Sequence, residues 1–327
     1  MRKRVLGRTG LEVSELGLGG LFVSSYGSAF EQANLAVNRA LELGINYVDT
    51  APTYANSEEV LGLILEHSDM PCILQTKLGG RPHPFRPQQQ DDLLKSVEES
   101  LKLLKRSKVD ILMIHEPDRP GEYDWWSDKQ AYYGPVLEVL DQLRKDGVIR
   151  FTGLGGTTAY EMIPIIQTGK FDVILTAFNY DLLWREAELG ILPAAIEQNM
   201  GIVIGSPLHQ GALARRLEEI ADENSWVSPP RRQQFRALYK LVDETGIPLP
   251  ELALRFVLSN PHVSCTLTGV RSVAEVEQNV KAAEQGPLSP DVMARIDEIA
   301  AMVPFRPCEE PFLLPFGKSY KGPGQAR

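Results

Sequence analysis

The chain has 327 residues, of which 43% are hydrophobic and 24% are charged, so its composition is that of an ordinary globular protein. Its length allows one large barrel or two smaller domains. The net charge of -9 and the pI near 5.2 argue against a nucleic-acid partner, because binding to a phosphate backbone needs clustered Lys and Arg.

The cysteines and the N-terminal segment favour a cytoplasmic location. Cys72, Cys265 and Cys308 are odd in number, far apart and without a metal-ligand spacing, so we expect no disulfide framework and no metal site. The basic start of the chain is followed by Gly7 and polar residues, not by the apolar core of a signal peptide. No apolar run is long enough to span a membrane, so we expect no membrane association.

In chain order, the first predicted element is a β-hairpin over residues 3–14, and eight β-like runs follow. The hairpin has short arms around a Gly-containing turn, and we expect it to close the floor of a barrel. The eight runs lie at 15–20, 46–50, 72–77, 110–115, 151–156, 171–178, 201–208 and 264–270. Amphipathic stretches between them include 31–43, 58–66, 91–105, 135–145, 189–199 and 231–245. This alternation predicts an α/β fold, a (β/α)8 TIM barrel formed by residues 1–327 as one domain.

Three connections are too long for simple turns: 116–134, 209–230 and the C-terminal tail at 303–327. The first carries Trp125, Trp126 and Tyr132, which we predict to contact substrate. The tail is rich in large apolar side chains, namely Phe305, Phe312, Leu313, Leu314 and Phe316. Long loops over the C-terminal mouth of a barrel can exclude water from a site, but the same aromatic residues can simply anchor the loops.

Four polar residues lie at or just beyond the ends of three successive predicted strands. Asp49 ends the second run, Tyr54 lies five residues further on, Lys77 ends the third run and His115 ends the fourth. In a parallel barrel the C-terminal strand ends meet at one mouth, so these side chains are expected to converge there. Each residue alone is typical of a structural role. An acid, a phenol, an amine and an imidazole at equivalent positions predict a proton-transfer site.

These residues and their flanking motifs resemble the aldo-keto reductase family along essentially the whole chain. The resemblance comprises the opening LGRTGL at 6–11, the signature DTAPTY at 49–54 followed by Ser57-Glu58, and Lys77 and His115 as the remaining members of a catalytic tetrad. It implies a TIM barrel without a Rossmann fold, NAD or NADP as cofactor, and hydride transfer between the nicotinamide and a carbonyl/alcohol pair.

The resemblance also implies a role for each member of the tetrad. Tyr54 would act as general acid or base, and it needs a nearby cation because a free phenol titrates near pH 10. Lys77 would supply that cation, and Asp49 would keep the lysine charged. His115, as a neutral imidazole, would donate a hydrogen bond to the substrate oxygen.

Two further motifs resemble the family's cofactor-binding segments. The seventh-strand motif SPLHQGAL at 206–213 implies contacts from Ser206, Pro207, Leu208 and Gly211. The segment that starts with GVRS at 269–272 implies that the adenosine end is held by Gly269, Arg271, Glu275, Gln278 and Asn279. Asn179, which follows the sixth strand, is a further candidate.

Three positions depart from the family pattern. Gly155-Gly156 replaces the Ser-Asn pair that commonly holds the nicotinamide carboxamide, and Leu175 stands where many members have Gln. Glu275 stands where an Arg often binds the 2'-phosphate of NADP, which favours NAD, although Arg271 nearby could clamp a phosphate.

We therefore predict an NAD(P)-dependent oxidoreductase acting on a small-molecule carbonyl or sugar, with the sugar (aldose) dehydrogenase branch favoured. One alternative is an NADPH-dependent aldehyde or ketone reductase. Another is a cofactor-sensing binding module that resembles the potassium-channel β subunits. A metal-dependent barrel hydrolase is disfavoured because the histidines form no paired ligand motif. No heptad or apolar stripe predicts an oligomeric state.

Overall fold

The fold is described by a computed structural model that covers residues 1–307, Glu310 and Leu314. Most of the predicted tail, including Phe312, Leu313 and Phe316, lies outside the described residues, as does Cys308.

Eight parallel strands form a closed barrel, which confirms the predicted fold. A two-stranded antiparallel hairpin precedes it, formed by β1 (Lys3–Val5) and β2 (Glu12–Ser14). The barrel strands are β3 (Leu16–Gly19), β4 (Tyr47–Asp49), β5 (Ile73–Leu78), β6 (Val109–His115), β7 (Ile149–Gly156), β8 (Val173–Ala177), β9 (Gly201–Gly205) and β10 (Cys265–Gly269). They follow one another around the barrel in chain order, and β10 closes it against β3. Every strand predicted from the sequence is present.

The helices surround the barrel and bury one apolar face each. Six of them match the predicted amphipathic stretches: α1 (Phe30–Glu42), α2 (Ser57–Glu66), α3 (Gln90–Leu103), α4 (Pro135–Lys145), α6 (Ile191–Glu197) and α7 (Pro229–Thr245). The others are α5 (Met162–Gln167), α8 (Leu249–Ser259), α9 (Val273–Glu284) and α10 (Pro290–Ala301). Among the described residues, no helix is both long enough and apolar enough to cross a membrane.

The hairpin closes the N-terminal floor of the barrel, as predicted. Leu6 and Val13 are fully buried and pack with the apolar side chains of the barrel interior. Gly7 adopts a φ of +47°, and a Cβ at this position would lie 2.3 Å from the backbone nitrogen of Gly201 at the start of β9. Only glycine fits this approach, so the turn of the hairpin sets the floor. The open end of the barrel is therefore the opposite one, where the strands end.

Trp125 and Trp126 anchor the loop that follows β6. Both side chains are buried, and their indole nitrogens donate to the backbone oxygens of His115 and Pro117 at 3.1 and 3.2 Å. Burying a large aromatic side chain contributes about 2–3 kcal/mol, so these two residues fix a long loop beside the mouth.

Candidate active site

The four polar residues predicted at the strand ends lie together at the mouth of the barrel. Asp49, Lys77 and His115 belong to the adjacent strands β4, β5 and β6, and Tyr54 lies in the loop between β4 and α2. We call Asp49, Tyr54, Lys77 and His115 the polar cluster. Its members are brought together by the parallel register, since neighbouring strands end at the same edge.

Lys77 is the centre of the polar cluster. Its ammonium nitrogen lies 2.6 Å from Asp49 Oδ1 and 3.3 Å from the Tyr54 hydroxyl, and it donates to the carbonyl oxygen of Thr50 at 2.9 Å. The side chains of Lys77 and Asp49 are only 1% and 4% exposed. A buried ammonium is tolerated because all three of its protons have an acceptor.

The backbone around Tyr54 turns its ring back toward Lys77. The Tyr54 amide donates to Ala51 O at 3.1 Å, and the Ser57 amide at the start of α2 donates to Tyr54 O at 2.9 Å. The Ser57 hydroxyl, which is buried, donates to Gly20 O at 2.8 Å and so ties the loop to the neighbouring connection. The half-buried phenol is thereby held over the lysine, with Nζ 4.6 Å from the ring centroid.

His115 also contacts the Tyr54 ring, edge to face. The two ring centroids are 6.0 Å apart and nearly perpendicular, at 82°. The Nδ1 atom of His115 lies 3.5 Å from the Thr53 hydroxyl. An imidazole and a phenol so arranged can both reach one small polar atom placed between them, which is the geometry needed to stabilise a developing oxyanion.

Asp49 and Lys77 form a buried ion pair. Burial raises the pKa of the Asp49 carboxyl, while Lys77 and Gln75 oppose that rise. Burial by itself would lower the pKa of Lys77, but Asp49 and Tyr54 outweigh it, so the lysine pKa lies above its ordinary value. The lysine is therefore charged at neutral pH.

The phenol and the imidazole are both electrically neutral near pH 7. Burial raises the pKa of Tyr54 above its ordinary value, and Lys77 only partly offsets this effect. The expected influence of Lys77 is thus present, but it does not bring the phenol pKa toward neutrality. Burial, followed by the charge of Lys77, lowers the pKa of His115 to about 3. Both groups can therefore donate a hydrogen bond at neutral pH.

A buried glutamine stands directly behind the polar cluster. Gln75, fully buried on β5, donates through Nε2 to Asp49 Oδ1, and its Oε1 accepts a hydrogen bond from the hydroxyl of Tyr47. The sequence analysis did not select either residue. The available signal was periodicity, since Gln75 precedes Lys77 by two residues and so points to the same side of the strand.

A cavity of about 370 Å³ borders the polar cluster at the mouth. Asp49 and Tyr54 line it, and so do Arg271, which lies between β10 and α9, and Asn279 on α9. Seven of the predicted cofactor residues line this cavity: Ser206, Pro207, Leu208, Gly211, Gly269, Arg271 and Asn279. Asn179, Glu275 and Gln278 do not line it.

The loop that follows β9 is held in an unusual conformation. Ser206, His209 and Gln210 have φ values of +57°, +41° and +56°, which are costly for residues other than glycine. The buried ring of His209 stacks on Trp184 with centroids 3.7 Å apart. Its Nδ1 lies 2.6 Å from a carboxylate oxygen of Asp181, which is also fully buried. These contacts fix the loop against the cavity. No sequence motif connects His209 with Trp184 and Asp181, so the sequence did not predict them.

Arg271 and Glu275 contact each other at the far end of the cavity. The Arg271 Nε lies 3.3 Å from Glu275 Oε1, and the Arg271 amide donates to Glu275 Oε2 at 2.9 Å. The guanidinium also lies 5.2 Å from the centre of the Phe22 ring. Glu275 thus neutralises the one arginine that the sequence analysis offered as a phosphate clamp.

The glycine at position 156 has a local structural cause. A Cβ there would lie 2.6 Å from Asp118 Oδ1 and 2.7 Å from the sulfur of Met162, so any side chain would have to displace Asp118 and Met162. At position 155 it would lie 3.4 Å from Lys77 Cε, inside the barrel.

Of the other two positions considered for the carboxamide, 179 has its side-chain nitrogen already paired and 175 carries an apolar residue. The side chain of Asn179 donates to Thr157 O at 3.0 Å and to the Thr176 hydroxyl at 3.2 Å, so it joins the ends of β7 and β8. Leu175 gives the cavity an apolar wall at this level.

The residues predicted to contact substrate lie outside the cavity. Trp125 and Trp126 are buried in the loop, and Tyr132 packs edge-on against Trp126 at 5.7 Å. Glu116 and Tyr123, which the sequence analysis did not select, lie near His115: Glu116 follows it in the chain, and a Cβ placed on Gly79 would contact both the His115 and the Tyr123 side chains. After burial, the charge of Glu116 is among the causes that raise the pKa of both Tyr54 and Tyr123.

The fold and the site together define a (β/α)8-barrel protein with a buried polar cluster next to a cavity at the mouth. Within the described part of the chain, no group of three or more His, Cys, Asp or Glu side chains is placed to hold a metal ion. The family model for "Aldo/keto reductase family" matches residues 15–301, and the chain therefore belongs to this oxidoreductase family.

Several relatives, one of them of known structure, match most of the chain. L-galactose dehydrogenase of Arabidopsis thaliana is 31% identical over 85% of this chain and 87% of its own length. A protein of Schizosaccharomyces pombe, whose name is that of a voltage-gated potassium channel subunit beta, is 28% identical over 92% of this chain and 94% of its own. The holo structure of an aldo-keto reductase from Bacillus halodurans superimposes with a TM-score of 0.74 at 27% identity, covering 92% of this chain and 96% of that one.

Proposed function

We propose that this protein is a nicotinamide-dependent oxidoreductase that interconverts an alcohol and a carbonyl group, with Tyr54 as the proton donor and acceptor. The observation that carries the proposal is the position of Lys77 Nζ, 2.6 Å from Asp49 Oδ1 and 3.3 Å from the Tyr54 hydroxyl in a buried site. A scaffold has no physical need for a buried cation beside a phenol.

In the reductive direction the polar cluster supplies the proton that converts the carbonyl oxygen into a hydroxyl group. Tyr54 gives its hydroxyl proton to the carbonyl oxygen, and Lys77 stabilises the phenolate that remains. Asp49 keeps Lys77 charged, and neutral His115 donates a hydrogen bond that orients the substrate oxygen. A nicotinamide cofactor, when bound, supplies the hydride to the carbonyl carbon or accepts it in reverse. In oxidation the phenolate takes the proton of the alcohol.

The lining of the cavity supports a dinucleotide as the cofactor. It includes both Tyr54 and Arg271, and Gly211 in its wall has a φ of +92°, which other residues rarely adopt. The loop at 206–211 would hold the phosphates, and the segment from Gly269 to Asn279 would hold the adenosine end. Apolar Leu175 and Phe178 would flank the nicotinamide. The nicotinamide carboxamide would have none of the Ser, Asn and Gln side chains that commonly bind it in the family.

The Arg271–Glu275 contact favours NAD over NADP. A 2'-phosphate near Arg271 would have to displace Glu275, which also accepts from the Arg271 backbone amide at 2.9 Å. A ribose hydroxyl can donate to the same carboxylate without displacing it.

The mouth of the site favours a neutral substrate rich in hydroxyl groups, such as an aldose. The Glu116 carboxylate, 23% exposed, lies near the ring of Tyr54 and has Arg119 as a loose partner at 3.7 Å. A carboxylate accepts hydrogen bonds from sugar hydroxyls and repels acids. The similarity to L-galactose dehydrogenase supports the same substrate class.

The test is a fluorescence titration of the purified protein with NADH and NADPH, followed by turnover assays with aldoses and simple aldehydes. We expect NADH to bind more tightly. We expect the Glu275→Gln variant to bind NADPH roughly fivefold to tenfold more tightly than the wild type, about 1 kcal/mol, because Arg271 is released. Glu284→Gln, the same charge change at the end of α9, should leave both affinities unchanged.

Other outcomes assign a different function. Tight NADPH binding with aldehyde reduction would favour the general reductase and would make Arg271 the phosphate clamp. Cofactor binding without turnover of any carbonyl or alcohol would favour a cofactor-sensing module, the class suggested by the similarity to a channel subunit beta.

A further inference from the structure

A chain of hydrogen bonds lies inside the barrel below the polar cluster. The Tyr47 hydroxyl donates to Gln75 Oε1, Gln75 Nε2 donates to Asp49 Oδ1, and Lys77 Nζ donates to that same oxygen at 2.6 Å. Asp49 and Gln75 are paired across β4 and β5, and Gln75 and Tyr47 are both fully buried.

Apolar side chains pack next to Gln75. Ile111 and Met113 on β6 fill neighbouring inward positions of the same interior. A buried amide is stable only where its donor and acceptor are paired, and here each finds one partner. A leucine is similar in size and would pack equally well. Packing therefore does not explain why position 75 carries an amide.

We propose that Gln75, oriented by Tyr47, is a positioning residue that holds the Asp49 carboxylate against Lys77 and thereby sets the protonation behaviour of the polar cluster. The inference rests on the proposed oxidoreductase function, which it deepens. Gln75 does not touch the cavity or the reacting atoms, and its influence passes through Asp49 to Lys77 and from Lys77 to Tyr54.

The amide can adopt only one orientation. If it were flipped, its oxygen would face the Asp49 carboxylate, and two acceptors would be in contact. The Tyr47 hydroxyl reinforces this orientation because it donates to Oε1. Burial raises the pKa of Tyr47 well above its ordinary value, so this donor keeps its proton throughout the working pH range.

The first test is the pH dependence of turnover in Gln75→Leu. Loss of the donor raises the pKa of Asp49, so the ion pair with Lys77 is lost at a higher pH. We expect kcat to fall by roughly tenfold or more, with KM within about twofold of the wild type. We also expect the acid limb of the kcat profile to move to higher pH.

The second test needs no turnover. The apoprotein of Gln75→Leu should lose stability relative to the wild type, and the loss should grow as the pH rises, because the unsupported Asp49 is costly only when it is charged. The control is Ser264→Ala. The Ser264 hydroxyl is buried, donates to Val5 O at 3.1 Å and accepts from the Ile202 amide at 3.4 Å, both uncharged groups, so the stability lost in this variant should not depend on pH.

Two further variants cover the case in which Gln75→Leu does not fold. Tyr47→Phe should shift the acid limb in the same direction by a smaller amount. Gln75→Glu should recover activity relative to Gln75→Leu as the pH falls, since a protonated carboxyl can again donate to Asp49.

The inference is overturned if Gln75→Leu, or Tyr47→Phe in its place, keeps the kcat and the acid limb of the wild type, or if the stability loss is independent of pH. Absence of turnover in the wild-type protein would instead overturn the proposed function. The pH dependence of unfolding would still report whether Gln75 supports the charge of Asp49.

Discussion

At the scale of single residues, the proposed chemistry depends on the proton of Tyr54. Burial keeps the phenol pKa above its ordinary value, and the cation of Lys77 is 3.3 Å from the hydroxyl. A phenol in this state is ready to give a proton at neutral pH, and Lys77 lowers the cost of the phenolate that results. Reduction should therefore proceed readily at neutral pH, whereas oxidation first requires loss of that proton.

The two directions should differ in their pH dependence. For reduction, kcat/KM should be constant through neutral pH, and on the alkaline side it should fall only above the raised Tyr54 pKa. For oxidation, it should rise by about tenfold per pH unit toward that pKa, because only the phenolate accepts the proton. Steady-state rates measured between pH 5 and pH 10 in both directions test this expectation.

The imidazole of His115 should contribute no limb near pH 6.5 to either profile. Its pKa is lowered to about 3 by burial and by Lys77, so it stays neutral over the whole range. A limb near 6.5 that disappears in His115→Asn would contradict the account of this residue.

Residue types at strand ends were enough to predict the polar cluster. They were not enough to predict the environment of each side chain. The positions of Asp49, Lys77 and His115 follow from where each strand ends. The direction of the Tyr54 pKa depends on how deeply the ring is buried, and the support from Gln75 depends on a contact between strands. Neither quantity is encoded in local sequence.

At the scale of elements, the loop at 206–211 is the part of the cavity wall with the most strained backbone. Its conformation is stabilised by contacts of His209 with Trp184 and Asp181, in the connection between β8 and α6. The loop thus depends on a neighbouring loop and not on its own sequence. The sequence motif predicted the residues of this loop that line the cavity, but not the contacts of His209 that stabilise the loop.

Loss of the Asp181 charge should loosen this loop. We expect Asp181→Asn to weaken NADH binding by roughly tenfold, about 1–1.5 kcal/mol, with a small effect on kcat. The measurement is a titration that follows nicotinamide fluorescence. Asp243→Asn, which removes a carboxylate from an exposed pair with Arg216, is the control. Unchanged affinity in a folded Asp181→Asn protein would show that the contact does not shape the cofactor wall.

The connection after β6 shows why substrate residues could not be predicted. Its tryptophans were expected at the mouth on grounds of chemistry, and the structure buries both, with their indole nitrogens bonded to the loop backbone. Sequence shows that a loop contains aromatic residues but not which way they face. Glu116, at the start of the same connection, is the substrate contact proposed above.

At the scale of the whole molecule, the barrel could be predicted because its signal is repeated. Eight apolar runs separated by amphipathic stretches leave few alternative folds, and small errors in any one boundary do not change the topology. The floor was predicted from the hairpin. The cavity was only partly predicted, since it is formed by loops from opposite sides of the barrel, and such contacts depend on the finished fold.

The measurement that tests the central claim most directly is a comparison of Tyr54→Phe with the wild type in both cofactor binding and turnover. We predict that Tyr54→Phe binds NADH within about twofold of the wild type and loses kcat by about 10²–10⁴-fold, because only the proton transfer is removed. Tyr239→Phe, a phenol on α7, should leave both values unchanged. Normal turnover by Tyr54→Phe would contradict the assignment of Tyr54 as the proton donor and acceptor.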